Sequence, residues 1–317
     1  MKLSFEQIKS ITVGAVRIAE EEDGIRFYKC TEKQIEAWDK IHENFGYRAR
    51  TTTGIRLDFI TDSQNIALTV SGGKFEIYVD DLLIKQYIAR EKTDVALRLL
   101  APLGESKESY RVTVYLPSHC IGVVHEVELD DGATVTTPEY DTKLLFIGDS
   151  ITQGWNSKYD SLSYAYRTTR FFNAYSIIQG IGGTFYHEDC FDTLPYSPDT
   201  VIVAYGTNDF TRYKTYDEFR SHVSAHLALI ANEYAGKNIF VISPIWRKDS
   251  EERSMGSFAG ARQVVIDEAE NLGLTHINGL SLVPPVEEFF ADGHLHPNDE
   301  GFSIYAENLI RELKKYI

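Results

Sequence analysis

Near residue 140 the chain changes rhythm, and that change constrains the fold more than any other feature. From about residue 50 to 130, apolar residues alternate with polar ones. Ile55, Leu57 and Phe59 share one face, as do Ile66, Leu68 and Val70, then Phe75, Ile77 and Val79, then Val112, Val114 and Leu116. Period-two spacing in short runs marks half-buried strands. The turn clusters Thr61-Asp62-Ser63, Ser71-Gly72-Gly73 and Asp80-Asp81 separate these runs, and no long helical pattern interrupts them. The combination predicts an antiparallel β-sandwich.

Beyond Asp130-Asp131-Gly132 and Thr136-Thr137-Pro138, short apolar strands alternate with helices. The strands read Leu144–Ile147, Tyr175–Ile178, Val201–Ala204, Ile239–Ile242 and Thr275–Ile277. A helix is predicted after Thr215-x-x-Glu218, a capping-box pattern. It places Phe219, Val223, Leu227, Ile230 and Tyr234 on one face before Gly236 stops it. A second helix ends at Gly273, and a last one starts near Asn298-Asp299 and carries Phe302, Tyr305, Leu309 and Leu313. Alternation of strand and helix predicts a parallel sheet covered on both faces. The chain therefore divides into a first domain over 1–140 and a second, α/β domain over 141–317.

Composition removes several classes of function. With 32 Lys and Arg against 47 Asp and Glu, the net charge is 32 − 47 = −15. So acidic a surface repels nucleic acid and anionic membranes, and neither is expected as a partner. No apolar run approaches the roughly 20 residues of a membrane span. The N-terminal stretch is broken by Glu6, Lys9, Arg17 and Glu20 and has no signal-peptide pattern, so a cytoplasmic location is expected. Cys30, Cys120 and Cys190 are few, odd in number and far apart, which suits neither a disulfide framework nor a zinc site.

Several motifs fail. G-x-S-x-G is absent, and Gly180-Ile181-Gly182-Gly183-Thr184-Phe185 lacks the third glycine of a dinucleotide fingerprint. His222 and His226 have helical i, i+4 spacing but no obvious third ligand, so they read as a solvated or partly buried face. No metal or cofactor is expected.

Four segments carry chemistry, each just past a predicted strand, where open α/β sheets place their ligands. In Gly148-Asp149-Ser150 a tight turn sets Ser150 at a helix start, where free N–H groups and the helix dipole favour an anionic oxygen. The plainer alternative is that Ser150 or Asp149 only caps that helix. Gly180-Ile181-Gly182-Gly183 lets backbone N–H groups approach a ligand, or is merely a turn. Asn208, in Gly206-Thr207-Asn208-Asp209, offers an amide to the same crevice, or makes an Asx turn. Asp292-Gly293-His294-Leu295-His296-Pro297-Asn298 supplies imidazole and carboxylate before the last helix.

Together, in this order, the four segments resemble the SGNH hydrolases, also called GDSL-type esterases. The resemblance covers residues 143–317 and implies a flavodoxin-like, three-layer parallel-sheet domain. The first half is similar in style to the jelly-roll-like β-sandwich of two-domain carbohydrate esterases. The resemblance implies Ser150 as nucleophile, His296 as general base and Asp292 as the carboxylate that orients it. Oxyanion donors would be the Ser150 and Gly183 N–H groups and the Asn208 amide. Asp292 to His296 is one residue longer than the family's usual Asp-x-x-His. A backbone carbonyl could then stand in for Asp292, while Pro297, Asn298 and Gly301 attach the family pattern to His296 rather than His294. Trp246 and His294 are candidate substrate-binding residues.

The expected function is a serine esterase that removes acetyl groups from a carbohydrate. Its alternatives are a lipase or thioesterase of the same mechanism and a non-catalytic glycan-binding protein. The expected partner is a small-molecule or oligosaccharide ester; the sequence gives no oligomeric state.

Overall fold

The structure, a computed structural model, describes residues 1–99 and 107–317. The chain forms two compact units. Met1–Cys30 with Arg50–Tyr140 makes the first; Thr31–Ala49 with Asp141–Ile317 makes the second. The junction at 140/141 is where the rhythm changes. Residues 31–49, however, pack with the second unit, whereas the sequence reading assigned all of 1–140 to the first.

In the first unit the alternating runs become strands. Arg56–Thr61, Asn65–Ser71, Gly73–Val79 and Tyr110–Tyr115 carry the four predicted sets, with Ile55 and Leu116 one residue beyond the strand ends. Their neighbours pair antiparallel: Leu57 faces Val114, and Leu68 faces Val95. Two sheets result, and side chains from both fill one core. Leu68, Val70, Val124 and Val127 enter it from one sheet; Phe59, Phe75, Val112 and Val114 enter it from the other. Thr69, between Leu68 and Val70, is only partly buried, whereas Asp58, Glu76 and Thr113 on the other sheet are buried as well, so the alternation reports which residues enter the shared core rather than which face solvent.

The second unit holds a five-stranded parallel sheet: Thr142–Gly148, Ala174–Gly180, Thr200–Ala204, Asn238–Ile242 and Thr275–Ile277. Each contains or coincides with a predicted apolar run. Numbered in chain order, the strands lie 2-1-3-4-5, the flavodoxin-like order. Helix Tyr216–Glu233 packs against Phe258–Asn271, and Tyr164–Phe171 packs against Asp299–Leu313. Phe219, Val223, Leu227 and Ile230 are fully buried, as their spacing requires. The Thr215 hydroxyl accepts the Glu218 N–H, but the Glu218 carboxylate accepts from Lys214, so only half of the expected capping box forms.

The insert is built from helices Glu32–Ile41 and Glu43–Arg50. Thr31 and Gln34 form a full capping box at its start. Gln34 then exchanges two buried amide hydrogen bonds with Gln179, at 3.2 and 3.0 Å. Trp38 and Phe45 meet the Phe185 ring edge-on, with centroids 5.8 and 6.0 Å away. These contacts fix the helices on the segment that follows the second strand.

That strand ends at Gly180, which has no room for a side chain. A Cβ there would fall 2.6 Å from Gln153 Cα and 2.7 Å from the Thr152 carbonyl carbon. Replacing Gly180 by Ala is expected to cost about 1–3 kcal/mol of stability through overpacking, measured by urea denaturation.

Candidate active site

The first strand ends at Gly148, whose neighbours in the sheet are Gly180 and Ala204. A Cβ on Gly148 would press on the Thr152 hydroxyl and lie 2.7 Å from the Ala204 carbonyl. The chain therefore turns tightly into the helical turn Ser150–Gln153, closed by left-handed Gly154 at φ +85°. Asp149 caps that turn, its Oδ1 accepting the Ile151 N–H at 2.9 Å. The cap is thus supplied by the neighbour, and the Ser150 hydroxyl instead lies 2.9 Å from His296 Nε2. Burial pushes the Asp149 carboxyl up to about 7, against the pull of the Ile151 N–H and Arg247.

His296 is presented by a loop that curls around Asp292. The Asp292 carboxylate accepts the N–H groups of His294 at 3.1 Å, Leu295 at 2.9 Å and His296 at 3.1 Å. Its Oδ2 lies 2.6 Å from His296 Nδ1. The longer Asp292–His296 spacing is absorbed by this curl, and the carboxylate still reaches the imidazole. Ala291 N–H donates to the His296 carbonyl at 2.8 Å, and Asn298 caps the final helix through the Gly301 N–H at 2.9 Å, so both ends are pinned.

Burial alone would raise the Asp292 carboxyl. The Leu295 N–H, the His296 imidazole and the other two N–H groups outweigh it and hold the group at about 2. Burial lowers the His296 imidazole below its usual range, with Asp292 opposing. At neutral pH a carboxylate therefore faces a neutral ring. Nδ1 carries the hydrogen toward Asp292, and the Nε2 lone pair faces the Ser150 hydroxyl.

Backbone donors surround the same hydroxyl-bearing turn. Gln153 Oε1 takes the Gly182 N–H at 2.9 Å, and Ile181 N–H is taken by the Gly148 carbonyl at 2.9 Å. Among the described residues, the Ser150 and Gly183 N–H groups have no acceptor within the chain. Gly183 adopts φ +82°. Asn208 stands at the start of helix Asp209–Arg212, yet its side chain makes no capping bond. Its amide donates to the Thr184 carbonyl at 2.9 Å, which leaves one amide hydrogen over. Asp209 performs the turn chemistry instead, accepting Gly206 and Tyr186 N–H groups at 2.9 Å each. Buried Arg247 holds the Thr207 carbonyl at 2.7 Å and pairs with Asp249, which fixes the approach to Asn208.

A serine hydroxyl on a neutral imidazole, the imidazole on a carboxylate, and idle N–H donors at a helix start are the apparatus of acyl transfer. Residues 146–304, half of the chain, match the GDSL-like lipase/acylhydrolase family model. The chain belongs to the GDSL-like lipase/acylhydrolase family. By sequence, no curated protein matches it significantly. Solved structures are similar in fold at low identity. A salicylyl-acyltransferase from a tetracycline biosynthetic pathway is 18% identical, with 96% of this chain and 94% of that chain covered and a TM-score of 0.83. A family two carbohydrate esterase from Cellvibrio japonicus is 14% identical, with 99% and 97% covered and a TM-score of 0.73. One from Clostridium thermocellum, in complex with cellohexaose, is 15% identical, with 96% and 98% covered and a TM-score of 0.67.

The remaining sequence-derived candidates of this GDSL-family chain divide. Trp246 is half-buried and packs on Phe290, centroids 4.8 Å apart, beside the loop that bears His296. His294 has a side chain 46% exposed, with Nδ1 on the Asp292 carbonyl at 3.1 Å, and takes no part in the contact to Ser150. His222 meets Glu188 Oε2 at 2.7 Å, and buried His226 meets the His187 carbonyl at 3.0 Å. Burial lowers His226 to about 4. Among the described residues, no group of three or more His, Cys, Asp or Glu side chains could hold a metal ion, and no helix is long and apolar enough to cross a membrane.

Two residues next to the site escaped the sequence reading. Trp155, one position after the Gly154 turn, has its ring 6.4 Å from that of His296. Arg48 lies with its guanidinium carbon 5.6 Å from the Trp155 centroid. Both are partly exposed and flank the Ser150 turn.

Proposed function

We propose that this chain is a serine carboxylic-ester hydrolase that removes small acyl groups, acetyl foremost, from a carbohydrate. The observation that carries this reading is the continuous path from Asp292 through His296 to a Ser150 hydroxyl freed of capping duty.

In the first step His296 Nε2 takes the hydroxyl proton as Ser150 Oγ attacks the ester carbonyl. The carbonyl π electrons move onto oxygen, where the Ser150 N–H, the Gly183 N–H and the Asn208 amide hydrogen stabilise the charge. Collapse expels the sugar alkoxide, which receives the proton from His296. Water then enters by the same route, and acetate leaves. Asp292 keeps the hydrogen on Nδ1 and balances the transient imidazolium.

The carbohydrate part rests on two supports. Several structural neighbours are family two carbohydrate esterases, and one is an acetyl xylan esterase. Trp155 and Trp246 also offer half-exposed aromatic faces beside His296 and its loop, and flat rings stack on the apolar faces of sugars. A panel of p-nitrophenyl esters of increasing chain length, with acetate release from acetylated xylo-oligosaccharides, tests the reading. The acetyl ester should be turned over fastest. An optimum at long chains would make the chain a lipase or thioesterase, and no turnover of any ester would leave only a glycan-binding role.

The base must be neutral to act, so kcat/KM should rise with pH through one limb. That limb should lie below 6.5, because burial depresses His296. Asp292 opposes this shift, so in Asp292→Asn the limb should move to still lower pH while the rate falls. A limb moving upward in that variant would contradict the pairing.

A further inference from the structure

Gly182 and Gly183 share one planar peptide unit, whose oxygen belongs to Gly182 and whose N–H belongs to Gly183. A peptide flanked by two glycines has the fewest steric barriers to reorientation. In this loop it is nevertheless held from both sides. Gln153 Oε1 fixes the Gly182 N–H at 2.9 Å, and Arg48 Nη1 donates to the Gly182 carbonyl at 2.7 Å. Arg48 also lies against Gly183 itself, since a Cβ there would meet Arg48 Nη1 and Phe45 Cε1 at 3.0 Å each.

From this we infer that Arg48 is a positioning residue for the reaction: it orients and strengthens the Gly183 N–H as an oxyanion donor. The inference rests on the esterase reading above. Two physical effects combine. A guanidinium on the oxygen fixes the peptide plane, and with it the direction of the N–H on the opposite side of the unit. A charge-assisted bond to the oxygen also draws density from the amide, which makes its N–H a better donor as negative charge builds on the substrate. Gly182 is buried, so without Arg48 its carbonyl would be left unsatisfied or would rotate to find another donor. Either outcome turns the Gly183 N–H away.

The location of Arg48 gives the insert a purpose. The helix Glu43–Arg50 is anchored by Phe45 on Phe185, two residues after Gly183, so the anchor and the donor move together. A second donor is tied to the same loop, because the Asn208 amide holds the Thr184 carbonyl.

The test is steady-state kinetics of the full chain on p-nitrophenyl acetate for wild type, Arg48→Met and Arg48→Lys, with melting temperatures and inhibition by a boronic acid that forms a tetrahedral serine adduct. Arg48→Met should lower kcat by about 10- to 100-fold, leave KM within about threefold and keep the fold, because only the transition state carries the oxyanion. The boronic acid should bind more weakly by a similar factor, and Arg48→Lys, which retains a cationic donor, should recover part of kcat. Unchanged kcat in Arg48→Met, a loss carried by KM instead, or a lysine variant no better than methionine would overturn the role. Ser150→Ala measured alongside separates the two claims. If it keeps wild-type turnover, the esterase reading fails; if it is inactive while Arg48→Met is not slowed, only the role of Arg48 fails.

Discussion

His296→Ala is expected to lower kcat on p-nitrophenyl acetate by roughly 10⁴- to 10⁶-fold, with the fold preserved. Its Nε2, the proposed base, meets the Ser150 hydroxyl at 2.9 Å, and its other nitrogen is held by Asp292. Without the ring, the hydroxyl has no acceptor for its proton at neutral pH, and an unassisted alcohol is a weak nucleophile. The loop should survive, because the Asp292 carboxylate is held by backbone N–H groups that the substitution leaves in place. His294→Ala is the matched control. That imidazole is exposed and bonded to the Asp292 carbonyl, so its loss should leave kcat within about tenfold of wild type. Initial rates of the two variants, with circular dichroism to verify folding, decide the matter. Equal losses would mean that the base has been assigned to the wrong histidine.

Ser150→Ala should lose turnover on the same scale, and its melting temperature should hardly move. Stability is spared because the helix cap belongs to Asp149 and the Thr152 hydroxyl bonds to Tyr164, so the Ser150 hydroxyl carries no structural load. A hydrogen bond to His296 is lost, but the imidazole keeps Asp292. Thermal denaturation beside acetate release separates the outcomes. Lost activity with an intact melting transition is expected; an active variant would remove Ser150 from the chemistry.

Most of the second unit was legible because its signals are local. A short apolar run, a glycine where two strands crowd a turn and a polar residue at the next helix start lie within about ten residues of one another, as in Leu144 to Thr152. The parallel sheet followed from the alternation of strand and helix, and its flavodoxin-like order from the resemblance carried by the four segments. The insert was not legible in the same way. Thr31-x-x-Gln34 does announce a helix, but its partners Gln179 and Phe185 lie some 150 residues away, so nothing near it in sequence says which unit it joins. Arg48 shares that cause: it reaches Gly182 across the same gap. Trp155 was missed for another reason, since no periodic pattern includes it and its place depends on the left-handed turn at Gly154. The Asp292–His296 spacing looked one residue too long. The extra residue is taken up by three backbone N–H groups wrapping one carboxylate, a geometry that counting residues does not reveal.

Covalent labelling with a fluorophosphonate, followed by mass-spectrometric mapping of the modified peptide, tests the central claim most directly. The expected result is a single adduct on Ser150, abolished in Ser150→Ala and formed far more slowly in His296→Ala. An adduct on another residue, or full esterase activity in protein that takes no label, would contradict it.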